Sequence, residues 1–309
     1  MINEIAYKTR EEWLSIRRGY IGGSDAGAVV GLNPYKSAYT LWAEKTGKIP
    51  EFEGSITTEV GSYLEEFIAK LFERETGKKV RRKNRTLVND KYPFACADVD
   101  RVVVGENAVV EIKSTNSFPA MKKLRKGEYP DQWYCQGTHY LGVGEYDRVY
   151  LAVLINCREF KIFVLERDEA EITALMAEEE KFVGYIENDT PPPADGTEST
   201  SETLSTIYPE SNEDSVSLFA YERDLEQYMA LSAQIKELEK LKDEAANKVK
   251  AFLGEAGRGD SDRYKVTWTS SSRSTFDAKR FAADHPNLNL SEYYKNNSYR
   301  TFKVTERKD

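Results

Sequence analysis

The sequence predicts an α/β sandwich domain, followed by a linker and a smaller helical and β-rich region. Three observations carry this expectation. The apolar period changes from helical over 59–76 to alternating over 85–114, and back to helical from 131. The 309 residues exceed what one average domain holds. The composition also breaks between Thr190 and Asp214: three prolines stand at 191–193, and 195–214 carries six acidic residues without a Lys or Arg, which is linker composition. The organisation that follows is 1–190, a linker at 191–214, and 215–309.

Taken in order, Glu11–Arg17 reads as a short helix, Gly22-Gly23-Ser24-Asp25 leads into a second at 26–30, and 41–46 gives a third. Residues 59–76 form a long amphipathic helix that Gly77 ends. Strands follow at 85–88, 94–104 and 109–114, separated by the turn sequences Asn89-Asp90 and Gly105-Glu106-Asn107. A helix at 131–141, strands at 148–155 and 159–165, and a helix at 169–186 close the first domain. Beyond the linker, 219–252 is helical with one apolar face and a coiled-coil look, Gly254 and Gly257 stop it, and strands are expected at 264–268 and 299–305.

Composition narrows the function classes. With 44 Lys+Arg against 52 Asp+Glu the net charge is −8, which speaks against a general nucleic-acid binder but says nothing about where the charges sit. Mean hydropathy is −0.63 and no apolar run approaches a membrane span. Residues 1–13 lack the apolar stretch of a signal peptide, so the expectation is a cytoplasmic protein. Cys96, Cys135 and Cys157 are too few and too scattered for a disulfide framework, a zinc site or an iron–sulfur cluster.

The segment Ala108-Val-Val-Glu-Ile-Lys-Ser114 carries the chemistry. On a strand, Glu111 and Lys113 share one face while Val110 and Ile112 share the other. Charged side chains on so apolar a strand are costly unless paired or metal-bound. Upstream, Asp98 and Asp100 would lie on one face of the neighbouring strand, so Glu111 and one of these two aspartates can meet across the hairpin. Converging hard oxygen ligands suit Mg²⁺ or Mn²⁺. An acid two residues before a Lys recurs at Lys161 and Lys181; the apolar strand and the upstream acidic strand together set Lys113 apart. Glu65 borders the buried stripe of the long helix. Basic runs at 78–85 and 122–126 would suit a phosphate backbone. Ser24 reads as a helix N-cap, and with Gly22-Gly23 and Arg17 the same turn makes an anion site.

Over about residues 8–190 the sequence resembles the YqaJ-type viral recombinases, the branch of the PD-(D/E)XK nuclease superfamily that includes lambda-type 5′–3′ alkaline exonucleases. The resemblance runs in order through Arg17-Arg-Gly-Tyr-Ile-Gly-Gly-Ser24-Asp, Gly31-Leu-Asn-Pro-Tyr35, Gly61-Ser-Tyr-Leu-Glu65, Ala97-Asp-Val-Asp100-Arg, Val110-Glu111-Ile-Lys113 and Gln132-Trp-Tyr-Cys-Gln136. Each piece is common alone; six in one order are not. It implies a PD-(D/E)XK restriction-endonuclease-like core, a central mixed sheet flanked by helices. It further implies Asp100, Glu111 and the Ile112 carbonyl as metal ligands, Glu65 completing the site, Lys113 acting on the attacking water, Gln136 beside it, and Arg17 and Ser24 gripping a 5′-phosphate. Val99 stands where the motif usually has proline, and Asp98 keeps the choice between Asp98 and Asp100 open.

The expected function is a Mg²⁺-dependent deoxyribonuclease, with Mn²⁺ as a substitute. It would act 5′–3′ on ends of linear double-stranded DNA, leave 5′-phosphorylated products and generate single strands for phage-type recombination. A ring trimer, a single-strand annealing partner and a phage or prophage origin are implied by the same resemblance. An endonuclease of the same superfamily lacks the need for an Arg17/Ser24 clamp. A non-catalytic DNA-binding recombination scaffold would not need Asp100, Glu111 and Lys113 intact.

Overall fold

The computed structural model describes residues 1–51, 54–286, 288–289, 291–295 and 299–306. The chain divides into two compact units, Met1–Tyr208 and Pro209–Asp309. In the first, the elements run β1 (Ile2–Ala6), α1 (Arg10–Arg18), β2 (Ile21–Gly22), α2 (Gly23–Val29), α3 (Ala38–Lys45), α4 (Ile56–Thr76), β3 (Val80–Arg81), β4 (Arg85–Asn89), β5 (Tyr92–Ala97), β6 (Arg101–Val103) and β7 (Ala108–Thr115). Then come α5 (Phe118–Arg125), α6 (Asp131–Gly144), β8 (Arg148–Ile155), β9 (Glu159–Glu166), α7 (Glu169–Glu187) and α8 (Glu198–Ile207).

Two sheets share the strands. One has the order β1-β4-β5-β2; the other, β3-β6-β7-β8-β9, is mixed, because β7 and β8 run parallel while their outer neighbours are antiparallel. The expected strand at 94–104 is therefore two strands in different sheets. The chain leaves β5 at Ala97 and enters β6 at Arg101, so Asp98 and Asp100 lie in the break between them and not along one strand face. Asp98 accepts a hydrogen bond from the Thr86 hydroxyl at 2.7 Å, whereas Asp100 accepts one from the Ile112 amide at 2.7 Å. Those two bonds separate the roles of the two aspartates.

After Arg148, β8 is apolar and buried on both faces, as a central strand with a parallel neighbour must be. Helix α6 packs on one face of the five-stranded sheet through Leu141 and Val143, and α4 covers the other through Ile68, Leu71 and Phe72. Gly77 ends α4 in the left-handed conformation (φ 71°) that its position predicts. Helix α2 lies so close on α6 that a Cβ at Gly23 would sit 2.5 Å from the Tyr140 ring, which leaves room only for glycine.

The linker expected at 191–214 is, over Glu198–Ile207, helix α8 of the first unit. Its Ser and Thr residues, which gave the segment its linker composition, are fasteners: Thr200 donates to the Ser37 hydroxyl at 2.8 Å, and Thr40 bonds Ser199 and Thr203 at 2.7 Å each. Leu204 and Ile207 pack against the cluster of Leu41, Trp42 and Phe182. The second unit contains α9 (Glu222–Leu253), the hairpin of β10 (Arg258–Asp260) and β11 (Lys265–Thr267), and α10 (Ala278–Asp284). The strand expected at 299–305 is not formed; β11 pairs with β10 instead. Among the described residues no helix is long and apolar enough to cross a membrane.

Candidate active site

A cleft of about 380 Å³ opens where the two sheets diverge. Asp100 and Glu111 line it with Gln136 and Tyr140 of α6, and Arg17, Gly23 and Ser24 line its other side. Glu111 comes from β7 and Asp100 from the β5–β6 break, a placement fixed by the β6–β7 register, Arg101 opposite Val110. Sequence reasoning thus placed six side chains (Arg17, Ser24, Glu65, Asp100, Glu111 and Gln136) that the fold brings to one cleft.

The strand pattern that puts Glu111 and Lys113 on one face has its consequence here. Lys113 Nζ is 2.7 Å from Glu111 Oε1 and donates to Gln136 Oε1 at 2.8 Å. Gln136 Nε2 in turn donates to the Tyr140 hydroxyl at 2.9 Å, which donates to the Asp98 carbonyl at 2.8 Å. Burial drives the Tyr140 phenol well above its ordinary range, so its hydrogen stays on as that donor. The chain Lys113–Gln136–Tyr140–Asp98 ties α6 to β7, which carries Glu111, and to the β5–β6 break, which carries the two aspartates. Tyr140 was missed from sequence; its signal is Gln136 one helical turn earlier on the same face.

Glu111 is 3% exposed, and its Oε2 is buried without a hydrogen-bond partner among the described residues. Asp100 sits beside it, its carboxyl pushed well above the usual carboxylate range by burial and by the charge of Glu111. An orphaned carboxylate oxygen next to a second carboxyl that resists ionising is a site short of positive charge. Asp100 and Glu111, both hard oxygen donors, therefore fit a divalent cation such as Mg²⁺, which takes one or two carboxylates and leaves its remaining positions to water and phosphate.

Glu65 does not join them. Its carboxylate lines the cleft but is hydrogen-bonded to Arg101, with Arg82 at 3.7 Å, and Arg101 also takes Glu66 at 3.1 Å. The nearly buried Arg101 needs a counter-charge, and Glu65 supplies it. Among the described residues, no group of three or more His, Cys, Asp or Glu stands together as a metal cage. The Ile112 backbone lies between Glu111 and Lys113, its amide spent on Asp100.

Across the cleft, Arg17 Nη2 donates to Ser24 Oγ. Ser24 is therefore not the N-cap; Gly22 is, and Asp25 at the third helical position returns a carboxylate to the Gly22 amide at 3.1 Å. Asp25 is buried, with Lys45 at 3.3 Å and Arg17 at 3.9 Å. Burial pushes its carboxyl up, but Lys45, Arg17 and the Gly22 amide outweigh that and hold it below the usual range. Lys45 also donates to the carbonyls of Arg17 and Tyr20 at 3.2 and 2.7 Å, so Asp25 and Lys45 brace the whole turn that presents Arg17 and Ser24. Trp13 lies under the Arg17 guanidinium at 5.1 Å.

The basic runs divide. Arg82 and Lys83 line the cleft, yet Lys83 and Arg85 pair with Glu4 and Lys78 with Glu106. The 122–126 run lies on and just after α5, with Lys123 paired to Asp131 and Arg125 to Glu159. Burial pushes the Cys96 thiol up to about 12 and Cys135 up to about 11, so neither supplies a nucleophile near neutral pH.

A mixed sheet flanked by helices, with an aspartate at a strand break and Glu-x-Lys on the next strand, is the PD-(D/E)XK architecture. Solved structures agree on the fold: an alkaline exonuclease from Laribacter hongkongensis matches with a TM-score of 0.51 at 19% identity, over 58% of this chain and 93% of that one. The same enzyme in complex with dAMP matches at 0.50, with the same identity and coverage. The model of the YqaJ-like viral recombinase domain matches residues 12–147, and the YqaJ protein of Bacillus subtilis (strain 168) is 36% identical over 304 residues, 96% of this chain and 95% of that protein. The chain belongs to the YqaJ-like viral recombinase family.

Proposed function

We propose that the protein is a metal-dependent deoxyribonuclease that degrades linear double-stranded DNA from its ends in the 5′–3′ direction, supplying single strands for phage-type recombination. The observation that carries the reading is the pair Asp100 and Glu111, with its orphaned Glu111 Oε2, in the same cleft as the Arg17/Ser24 turn. Asp100 and Glu111 would hold Mg²⁺, or Mn²⁺ in its place, and such an ion lowers the pKa of water and offsets phosphate charge. Lys113, fixed by Glu111 and Gln136, would orient the attacking water and offset the charge that develops on the phosphoryl oxygens. Arg17 and Ser24 would receive the terminal 5′-phosphate, which an end-dependent enzyme needs and an endonuclease does not. The dAMP complex of the Laribacter exonuclease supports a nucleotide-sized subsite. A ring of copies around the duplex, with an annealing protein receiving the product strand, completes the proposal; a ring lets a chain of net charge −8 hold a polyanion through a locally basic lumen.

Digestion of linear duplex with and without a 5′-phosphate, beside closed circular DNA, in Mg²⁺ and in EDTA, tests the reading. Loss of linear DNA alone, in Mg²⁺ and faster with the phosphate, is the expected result. Cutting of the closed circle would replace it with an endonuclease, and no cleavage at all with a scaffold.

A further inference from the structure

Helix α9 is 32 residues long and none of them is buried. Ile235, Leu238 and Phe252 are 56%, 64% and 92% exposed. Its apolar positions are not scattered. Positions 228, 231, 235, 238, 242, 245, 249 and 252 repeat at alternating three- and four-residue steps, and all but Lys242 are apolar. That 3.5-residue period is the seam of a left-handed coiled coil, about 36 Å long at 1.5 Å per residue. Near the start of the seam, Tyr228 packs edge-on against Phe302 of the same unit.

We propose that α9 pairs with α9 of a second copy of this chain, antiparallel, and so joins protomers through the second unit. Three features choose the second copy and the direction. The helix is acidic where it begins and basic where it ends: Glu222, Asp224 and Glu226 accompany one Arg over 222–228, whereas Lys248 and Lys250 stand without an acid over 246–253. Antiparallel copies set each acidic end beside a basic one and oppose their helix dipoles; parallel copies set like against like.

Size is the second feature. An antiparallel register centred on Lys240 puts Ile235 opposite the partner's Ala245, and Leu231 opposite the partner's Val249. A parallel one stacks Ala245 on itself, leaving a void, and crowds Phe252 against Phe252. Third, the antiparallel register lays the Lys242 stem along Leu238 with its ammonium free to reach water, where a parallel pair would bury two lysines against each other. The pairing stands apart from the nuclease reading and from any ring formed by the first unit.

Two measurements on the full chain decide. In a Cys157→Ser background, which removes the exposed native thiol, the double variant Leu231→Cys/Val249→Cys should form an intermolecular disulfide under mild oxidation, while each single variant should not. Separately, Ile235→Lys/Leu238→Lys should halve the molar mass measured by light scattering. These exposed positions accept lysine without loss of helix, which far-UV circular dichroism checks. Cross-linking by Leu231→Cys alone would mean a parallel pair. Absence of any cross-link, or a mass unchanged by the lysines, would give the seam to another occupant. Each of these results overturns the proposal.

Discussion

Replacing Glu179 by alanine should cost the first unit about 3–5 kcal/mol of stability, because it leaves one half of a buried pair behind. His139 and Glu179 are both fully buried; His139 Nδ1 is 2.8 Å from Glu179 Oε1, and Nε2 is 2.8 Å from the Cys96 carbonyl. A carbonyl only accepts, so Nε2 carries a hydrogen, and the contact to the carboxylate binds a further proton within the pair. Burial lowers the affinity of His139 for that proton, but Glu179 and the Cys96 carbonyl outweigh burial and raise the imidazole above its ordinary 6.5. Its contribution is therefore complete below pH 6.5 and is lost as the pH rises through the higher folded value, at about 1.4 kcal/mol per pH unit in that window. Urea unfolding followed by tryptophan fluorescence, at about pH 6 and about pH 9, should show the wild-type advantage over Glu179→Ala shrinking as the pH rises. A loss below about 1 kcal/mol, or an advantage that grows with pH, would refute the reasoning. Cleavage should fall with stability, since Cys96 lies next to the end of β5, just before the break that carries Asp98 and Asp100.

Lys113→Ala should abolish cleavage while circular dichroism and the melting temperature stay near wild type; retained activity would remove Lys113 from the chemistry. Arg17→Ala should raise KM for 5′-phosphorylated ends and leave dephosphorylated ends nearly unchanged, as read from initial rates on the two substrates. Asp25, held below the usual carboxylate range, contributes stability that is present above pH 3.8 and is lost as the pH falls through its lower folded value. Acid unfolding of Asp25→Asn should accordingly lack the part of the acid transition that wild type shows in that range. Asp98→Asn should keep most activity, because Asp98 is occupied with Thr86, whereas Asp100→Asn should lose it.

The sequence told most where a single force decides. The run at 149–155 is apolar throughout and, with Arg148 ahead of it, forms a strand with the expected bounds that is buried from Val149 onward, and alternation alone aligns Glu111 with Lys113. It misled where alternation outlasts the strand: Ala97-Asp-Val-Asp100 keeps the period of two while the backbone crosses from one sheet to the other. Helix α5 has no counterpart among the expected elements: its eight residues are too few to show a helical period, and the start signal is Pro119 in its first turn. Helix α8 was hidden because Ser and Thr look like linker until their partners, Ser37 and Thr40, more than 150 residues earlier in sequence, are seen. The arginine that draws Glu65 away could not be paired with it from sequence, since the contact joins α4 to the first residue of β6.

The central claim is that Asp100 and Glu111 together hold a divalent cation. Thermal unfolding of wild type, Asp100→Asn and Glu111→Gln, with and without Mg²⁺, tests it without recourse to activity. The claim predicts that Mg²⁺ raises the melting temperature of wild type and of neither variant, since a ligand that binds only the folded site stabilises it. An equal rise in all three proteins, or none in wild type, would contradict it.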